Sequence, residues 1–157
     1  MMPVRAGKDV SNEKMSNEKI RRKQMRFLSI YKTVESNTPP TVEHVAKMGK
    51  LIEESMKAGV LLATEGCLPS ALGARVRLSQ GKISVTDGPF VESKELIGGF
   101  AVLQVNSKAE AIELTKKFLA VAGDGECEIR QIFTAPDTAP GDAIEHQARL
   151  KEQYAKS

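Results

Sequence analysis

Tryptophan is absent from this 157-residue chain, and only 4% of its residues are aromatic. A core must therefore be built chiefly from aliphatic side chains. With two cysteines and two histidines, the chain lacks the short, repeated Cys/His spacings that hold zinc, and neither a metal nor any other cofactor is expected. Cys67 and Cys127 read as free, semi-buried thiols. No apolar run reaches the roughly 20 residues of a membrane helix, and the first residues lack the apolar stretch of a secretory signal. The expectation is a cytoplasmic protein with no membrane partner. A Ser-His-Asp order, a phosphate loop and a dinucleotide fingerprint are missing too; "GDGE" and "IGGF" are too short and wrongly placed to be either glycine motif.

What is present is an ordinary globular composition, 41% hydrophobic and 27% charged. The net charge of +3 is unevenly spread. Residues 1–24 hold seven Lys/Arg against three Asp/Glu, which leaves 16 basic and 17 acidic side chains for the other 133 residues. Nucleic-acid binding needs a basic face on the domain itself, and none is visible. The segment 1–24, with its tandem SNEK, reads as a flexible basic extension.

From Met25 the pattern changes. "RFLSIYK" has a strand's composition, with Phe27, Ser29 and Tyr31 on one face and Leu28 and Ile30 on the other. Thr41 suits a helix N-cap, and Val42, Val45, Met48, Ile52 and Met56 predict an amphipathic helix over 42–58, closed by Gly59. "VLLATEG" (60–66) reads as a strand buried on both faces. "RVRLS" and "KISVTD" form a hairpin about Gln80-Gly81. "GGFAVLQV" (98–105) is a further buried strand, and Ser107 with Glu110 makes a capping box for a helix over 108–122, with Ala111, Leu114, Phe118 and Val121 inward. "CEIRQIF" (127–133) is the last strand, and residues 135–157 form a polar tail, helical over about 141–155, that carries His146. The order is that of an α+β, ferredoxin-like unit over 25–134, with two helices on one face of an antiparallel sheet. Its other face is apolar in several strands, so a second copy is expected to cover it as a homodimer.

The candidate site gathers around "SVTDGPFVESKE" (84–95). Asp87 is in phase with Ile83 and Val85, so its carboxylate is expected to point toward an apolar interior, or else to cap the turn that follows. Gly88 and Pro89 shape that turn and Phe90 is expected to plug the core. Lys94 and Glu95 stand beside it, either as a solvated loop or as groups facing a cleft. Glu65 ends a buried strand, His44 lies at the edge of the first helix's apolar stripe, and Arg130 alternates with Glu128 as an ion pair or as the holder of a substrate carboxylate.

Four pieces carry a family resemblance: "MRFLSIYK", "KAGVLLATEGCLPS", "GARVRLSQGKISVTDGPFVESKELIGGF" and "EIRQIF". In this order they resemble the YCII-related family, more closely its DGPF branch, over about seven-tenths of the chain. Val91 and Ser93 replace that branch's usual alanine and threonine. The resemblance implies dimeric α+β barrels and a His–Asp pair near a cleft, with a histidine in the N-terminal part of the first helix, where His44 lies. It also implies, for some members, a link to sigma factors. The reading that follows is a small cofactor-free enzyme or small-molecule-binding homodimer. Its acidic cleft is bounded by Asp87, Glu65 and His44 as catalytic groups and by Phe90, Lys94, Glu95 and Arg130 as binding groups. The alternative is a non-catalytic regulatory dimer.

Overall fold

Alternating side chains give the domain's first nine residues two distinct faces, and the computed structural model makes them strand β1, Met25–Thr33. The structure describes residues 24–90, 96–133 and 141–155; the N-terminal extension and the candidates Lys94 and Glu95 lie outside the described residues. Helix α1, Val42–Lys57, begins where Thr41 Oγ1 accepts the His44 N–H at 3.1 Å, with Glu43 in the first turn. Strand β2, Leu61–Gly66, leads into a single helical turn at Ser70–Leu72. Strands β3, Ala74–Ser79, and β4, Lys82–Asp87, meet at Gln80 and Gly81, whose φ values of 48° and 74° are the positive pair that a two-residue hairpin turn demands. Strand β5 is Leu96–Val105 and helix α2 is Lys108–Ala122. At its start Ser107 Oγ accepts the Glu110 N–H at 3.1 Å, and the Glu110 carboxylate accepts the Asn106 N–H at 2.8 Å. Strand β6, Glu126–Gln131, and helix α3, Gly141–Tyr154, complete the order.

Four strands form one antiparallel sheet in the order β2-β5-β1-β6, while among the described residues β3 and β4 pair only with each other. Leaving out that hairpin, the chain runs β-α-β-β-α-β, which is the ferredoxin-like connectivity in an α+β architecture. Helices α1 and α2 pack against the sheet face that carries Phe27, Leu61, Leu103 and Val105, and with Ala111 these make the buried core. Full burial of each large member contributes about 1.5–3 kcal/mol.

Three expectations change. Strand β2 is a sheet edge, so of its residues only Leu61 is buried; a continuous apolar run does not bring a covering layer with it. Helix α1 turns inward along His44, Met48, Leu51, Ile52 and Ser55, whereas Val42 and Val45 are 88% and 56% exposed and Met56 is exposed as well. The helix's rotation follows its seat on the sheet, and Ser55 tolerates that seat because its hydroxyl donates to the Leu51 carbonyl at 2.7 Å. Finally, Ile83 and Val85 do not face an interior. The β3–β4 hairpin projects from the domain, leaving Val76, Leu78, Ile83 and Val85 between 64% and 72% exposed.

Candidate functional site

Strand register determines which side chains share the helix-facing side of the sheet, because cross-strand partners lie on one face. One row is Leu61, Leu103, Phe27 and Gln131, and its large side chains fill the space beneath the helices. The next is Thr64, Ala101, Ser29 and Ile129; the third is Gly66, Gly99, Tyr31 and Cys127. Side chains thus shrink along β2 and β5 toward one end of the sheet. Helices α1 and α2 lie over this face, and volume is left unfilled where the sheet residues are small.

That volume is a cavity of about 290 Å³ bordered by the inward stripe of α1, by Leu114, Thr115, Lys117 and Phe118 of α2, and by the small-residue rows of the sheet. Its hydroxyl groups are largely satisfied within the protein. Thr115 Oγ1 donates to the Ala111 carbonyl at 2.8 Å, Thr64 Oγ1 to the Phe100 carbonyl at 2.9 Å, and Tyr31 OH to the Asp124 carbonyl at 3.1 Å. The Tyr31 ring is held edge-on against Phe118, centroids 5.2 Å apart. What remains inside is an apolar surface.

Of the residues singled out from sequence, His44 and Glu65 both border this cavity. Their contributions differ. Glu65 pairs with Phe100, and Phe100 with Ile30, so the ladder directs all three side chains to the sheet's far face, and Glu65 closes the cavity's end through the strand backbone. Asp87, Phe90 and Arg130 are not among the cavity's lining residues.

Asp87 sits exposed opposite Ala74 at the base of the hairpin. Behind it, the Gly88-Pro89 peptide bond is cis, and the Gly88 N–H donates to the Gly73 carbonyl at 2.9 Å. A Cβ on Gly88 would lie 1.7 Å from the Ser70 carbonyl oxygen, so no larger residue fits there. Phe90 does not plug the core. Its N–H donates to Ser70 Oγ at 3.2 Å and its half-buried ring lies under the Arg75 guanidinium, 4.0 Å from centroid to Cζ. Ser70 in turn gives both its N–H and its hydroxyl to the Glu35 carboxylate, the latter at 2.9 Å. The turn is therefore clamped onto two other loops, and ring burial in the core gives way to that clamp. Nothing local in the sequence marks Glu35 and Ser70 as partners across 35 residues.

Arg130 belongs to the far face of the sheet, where Arg130 Nη1 donates to Glu128 Oε1 at 3.1 Å and Lys32 Nζ to Glu128 Oε2 at 2.8 Å. The Lys32 ammonium first, and Arg130 second, hold the Glu128 carboxyl below the usual carboxylate range. On the helix side, burial pushes the Cys127 thiol up, opposed by a hydrogen bond with Ser29 and reinforced by Glu126. Among the described residues, no three His, Cys, Asp or Glu side chains converge on a metal-sized site. None of the described helices is long and apolar enough to cross a membrane.

Lys117 was not evident as a candidate from sequence, though its place three residues after Leu114 puts it at the rim of the inward stripe of α2. The fold and its chamber define a small α+β protein of ferredoxin-like connectivity with an apolar cavity between helices and sheet. Comparison with protein families gives a match to the YCII-related domain over residues 25–135, and the chain belongs to that family. It is also similar to an uncharacterised protein of Rhizobium meliloti (strain 1021), 32% identical over 78 residues, a match that covers 49% of this chain and 63% of that relative. The chain thus matches less than two thirds of the relative's length.

Proposed function

We propose that this YCII-related protein is a small-molecule-binding homodimer of the DGPF type, cytoplasmic and cofactor-free, with its ligand chamber between α1, α2 and the sheet. The observation that carries the reading is the cavity of about 290 Å³, near the lower end of the roughly 300–1,000 Å³ usual for small-molecule sites. Binding is favoured over acid/base catalysis because the three candidate catalytic groups do not share this chamber: His44 borders it, Glu65 turns its side chain away, and Asp87 lies outside. General acid/base chemistry needs its groups within hydrogen-bond reach of one reacting atom.

Dimerisation rests on the opposite face. There Leu28, Ile30, Phe100 and Val102 form an apolar centre, with Glu65 on one edge and the Lys32–Glu128–Arg130 cluster on the other. A second copy of the same face would cover it and close a dimeric α+β barrel. One further observation favours a second reading, a non-catalytic regulatory dimer. The projecting hairpin offers Val76, Leu78, Ile83 and Val85 to a partner protein.

A thermal-shift screen of metabolites on the wild-type chain, Ala101→Phe and Asp87→Asn tests the chamber. The expected ligand raises the melting temperature of wild type and Asp87→Asn alike, and has no effect on Ala101→Phe, whose added ring occupies the cavity. A ligand that still stabilises Ala101→Phe while losing its effect on Asp87→Asn would move the site to the hairpin base.

A further inference from the structure

We infer that the chamber takes an amphipathic anion, a medium-length apolar body with a single carboxylate, whose charged end is met by Lys117 and His44. This deepens the ligand-binding reading above and rests on it. The body of the ligand follows from what the interior can offer. The Ser55, Thr64 and Thr115 hydroxyls have each given their proton to a main-chain carbonyl, and so has Tyr31 at the rim. Ser29 is engaged with the Cys127 thiol. A polar ligand body would enter without donors to meet it, and each unmatched group costs the full price of its desolvation. Hydrocarbon loses nothing there and gains the burial of its surface along Met48, Leu51, Ile52, Leu103, Leu114 and Phe118.

The charged end follows from topology. Helix α1 follows β1 after the loop 34–41 and leads at its far end into the start of β2. Helix α2 finishes just before β6, whose first residues pair with the end of β1 at Tyr31–Cys127 and Lys32–Glu126. The first turn of α1 and the last turns of α2 therefore lie at the same end of the sheet as Gly66, Gly99 and Tyr31. His44 comes from the former and Lys117 from the latter, and both border the cavity. Neither the His44 ring nor the Lys117 ammonium has a hydrogen bond or ion pair among the described residues. The adjacent Lys116, by contrast, is paired with Glu113 at 2.7 Å. Lysine lays its alkyl stem along apolar surface and keeps its ammonium at the water boundary, so a cation stands at the rim of an otherwise hydrocarbon chamber. Among the described residues, the one carboxylate residue bordering the cavity, Glu65, is carried by the strand ladder to the sheet's other face. No acidic side chain of the lining, among the described residues, faces an anion at this end.

Isothermal titration of the full chain with decanoate, decan-1-ol and decylamine at matched concentration tests the assignment. Decanoate is expected to bind about tenfold or more tightly than the alcohol, with the amine weakest, and octanoate roughly tenfold more weakly than decanoate for the two methylenes lost. Lys117→Met, which keeps the stem and removes the charge, should cut the advantage of decanoate to the several-fold share of His44 while leaving decan-1-ol binding unchanged. His44→Leu should weaken decanoate several-fold and spare the alcohol. Decan-1-ol binding as well as decanoate, or a decanoate preference that survives Lys117→Met undiminished, overturns the anionic assignment and leaves the chamber standing. Failure of all three probes to bind overturns the chamber reading with it.

Discussion

Gly88 shows how one residue can decide a loop. Its missing side chain lets the Ser70 carbonyl approach, and Ser70 then holds Phe90 on one side and Glu35 on the other. Gly88→Ala should cost about 1–3 kcal/mol, the usual penalty of forced overpacking, read as a lower urea midpoint with an unchanged denaturant slope. Stability equal to wild type would mean that the Ser70 loop moves away at no cost. The two thiols make a second contrast at this scale. Cys67 is exposed, whereas Cys127 is half-buried with its thiol pKa raised by that burial. A raised thiol pKa keeps the unreactive protonated form to higher pH. Iodoacetamide at pH 8 should therefore label Cys67 first, and peptide mass spectrometry that found Cys127 modified first would refute the assignment of its environment.

At the scale of elements, the β3–β4 hairpin and helix α1 both contradict simple amphipathic logic. Val76, Leu78, Ile83 and Val85 alternate as a half-buried strand pair should, yet the face they form is exposed. The double substitution Ile83→Thr, Val85→Thr should accordingly change unfolding free energy by no more than about 0.5 kcal/mol, as exposed positions generally do. A loss above about 1 kcal/mol in chemical denaturation would show that another surface covers the hairpin. In α1 the apolar spacing 42, 45, 48, 52, 56 is a genuine helical period, which is why the helix and its Thr41 cap were legible. Its inward line nevertheless includes His44 and Ser55. Periodicity reports that a helix has a preferred face. Where a cavity rather than a neighbour meets that face, polar residues can occupy it, so the candidate site was only half legible: His44 stood at the edge of the expected stripe and Lys117 was invisible.

For the molecule as a whole, the sheet face opposite α1 and α2 is the surface on which assembly turns. Leu28, Ile30, Phe100 and Val102 make a contiguous apolar centre with charged margins. Phe100→Glu places a carboxylate in the middle of it, close to Glu65 on the neighbouring strand. Sedimentation velocity at micromolar concentration should show wild type as a dimer and Phe100→Glu as a monomer with an unchanged far-ultraviolet spectrum. A wild-type monomer would remove the barrel from consideration.

The chain by itself determined the order of its elements and their limits to within about two residues, because caps, turn residues and hydrophobic alternation act over a few neighbouring positions. Thr41, Gln80-Gly81 and the Ser107–Glu110 pair all do in the fold what their local chemistry requires. It also carried enough of the "DGPF" segment to indicate the family. Only the tertiary structure decided which of those elements are covered and where space is left. Edge position exposes β2, the hairpin projects, and along β2 and β5 the cross-strand rows run from large to small side chains beneath two helices. Register between strands far apart in sequence sets those rows, and no local pattern records it.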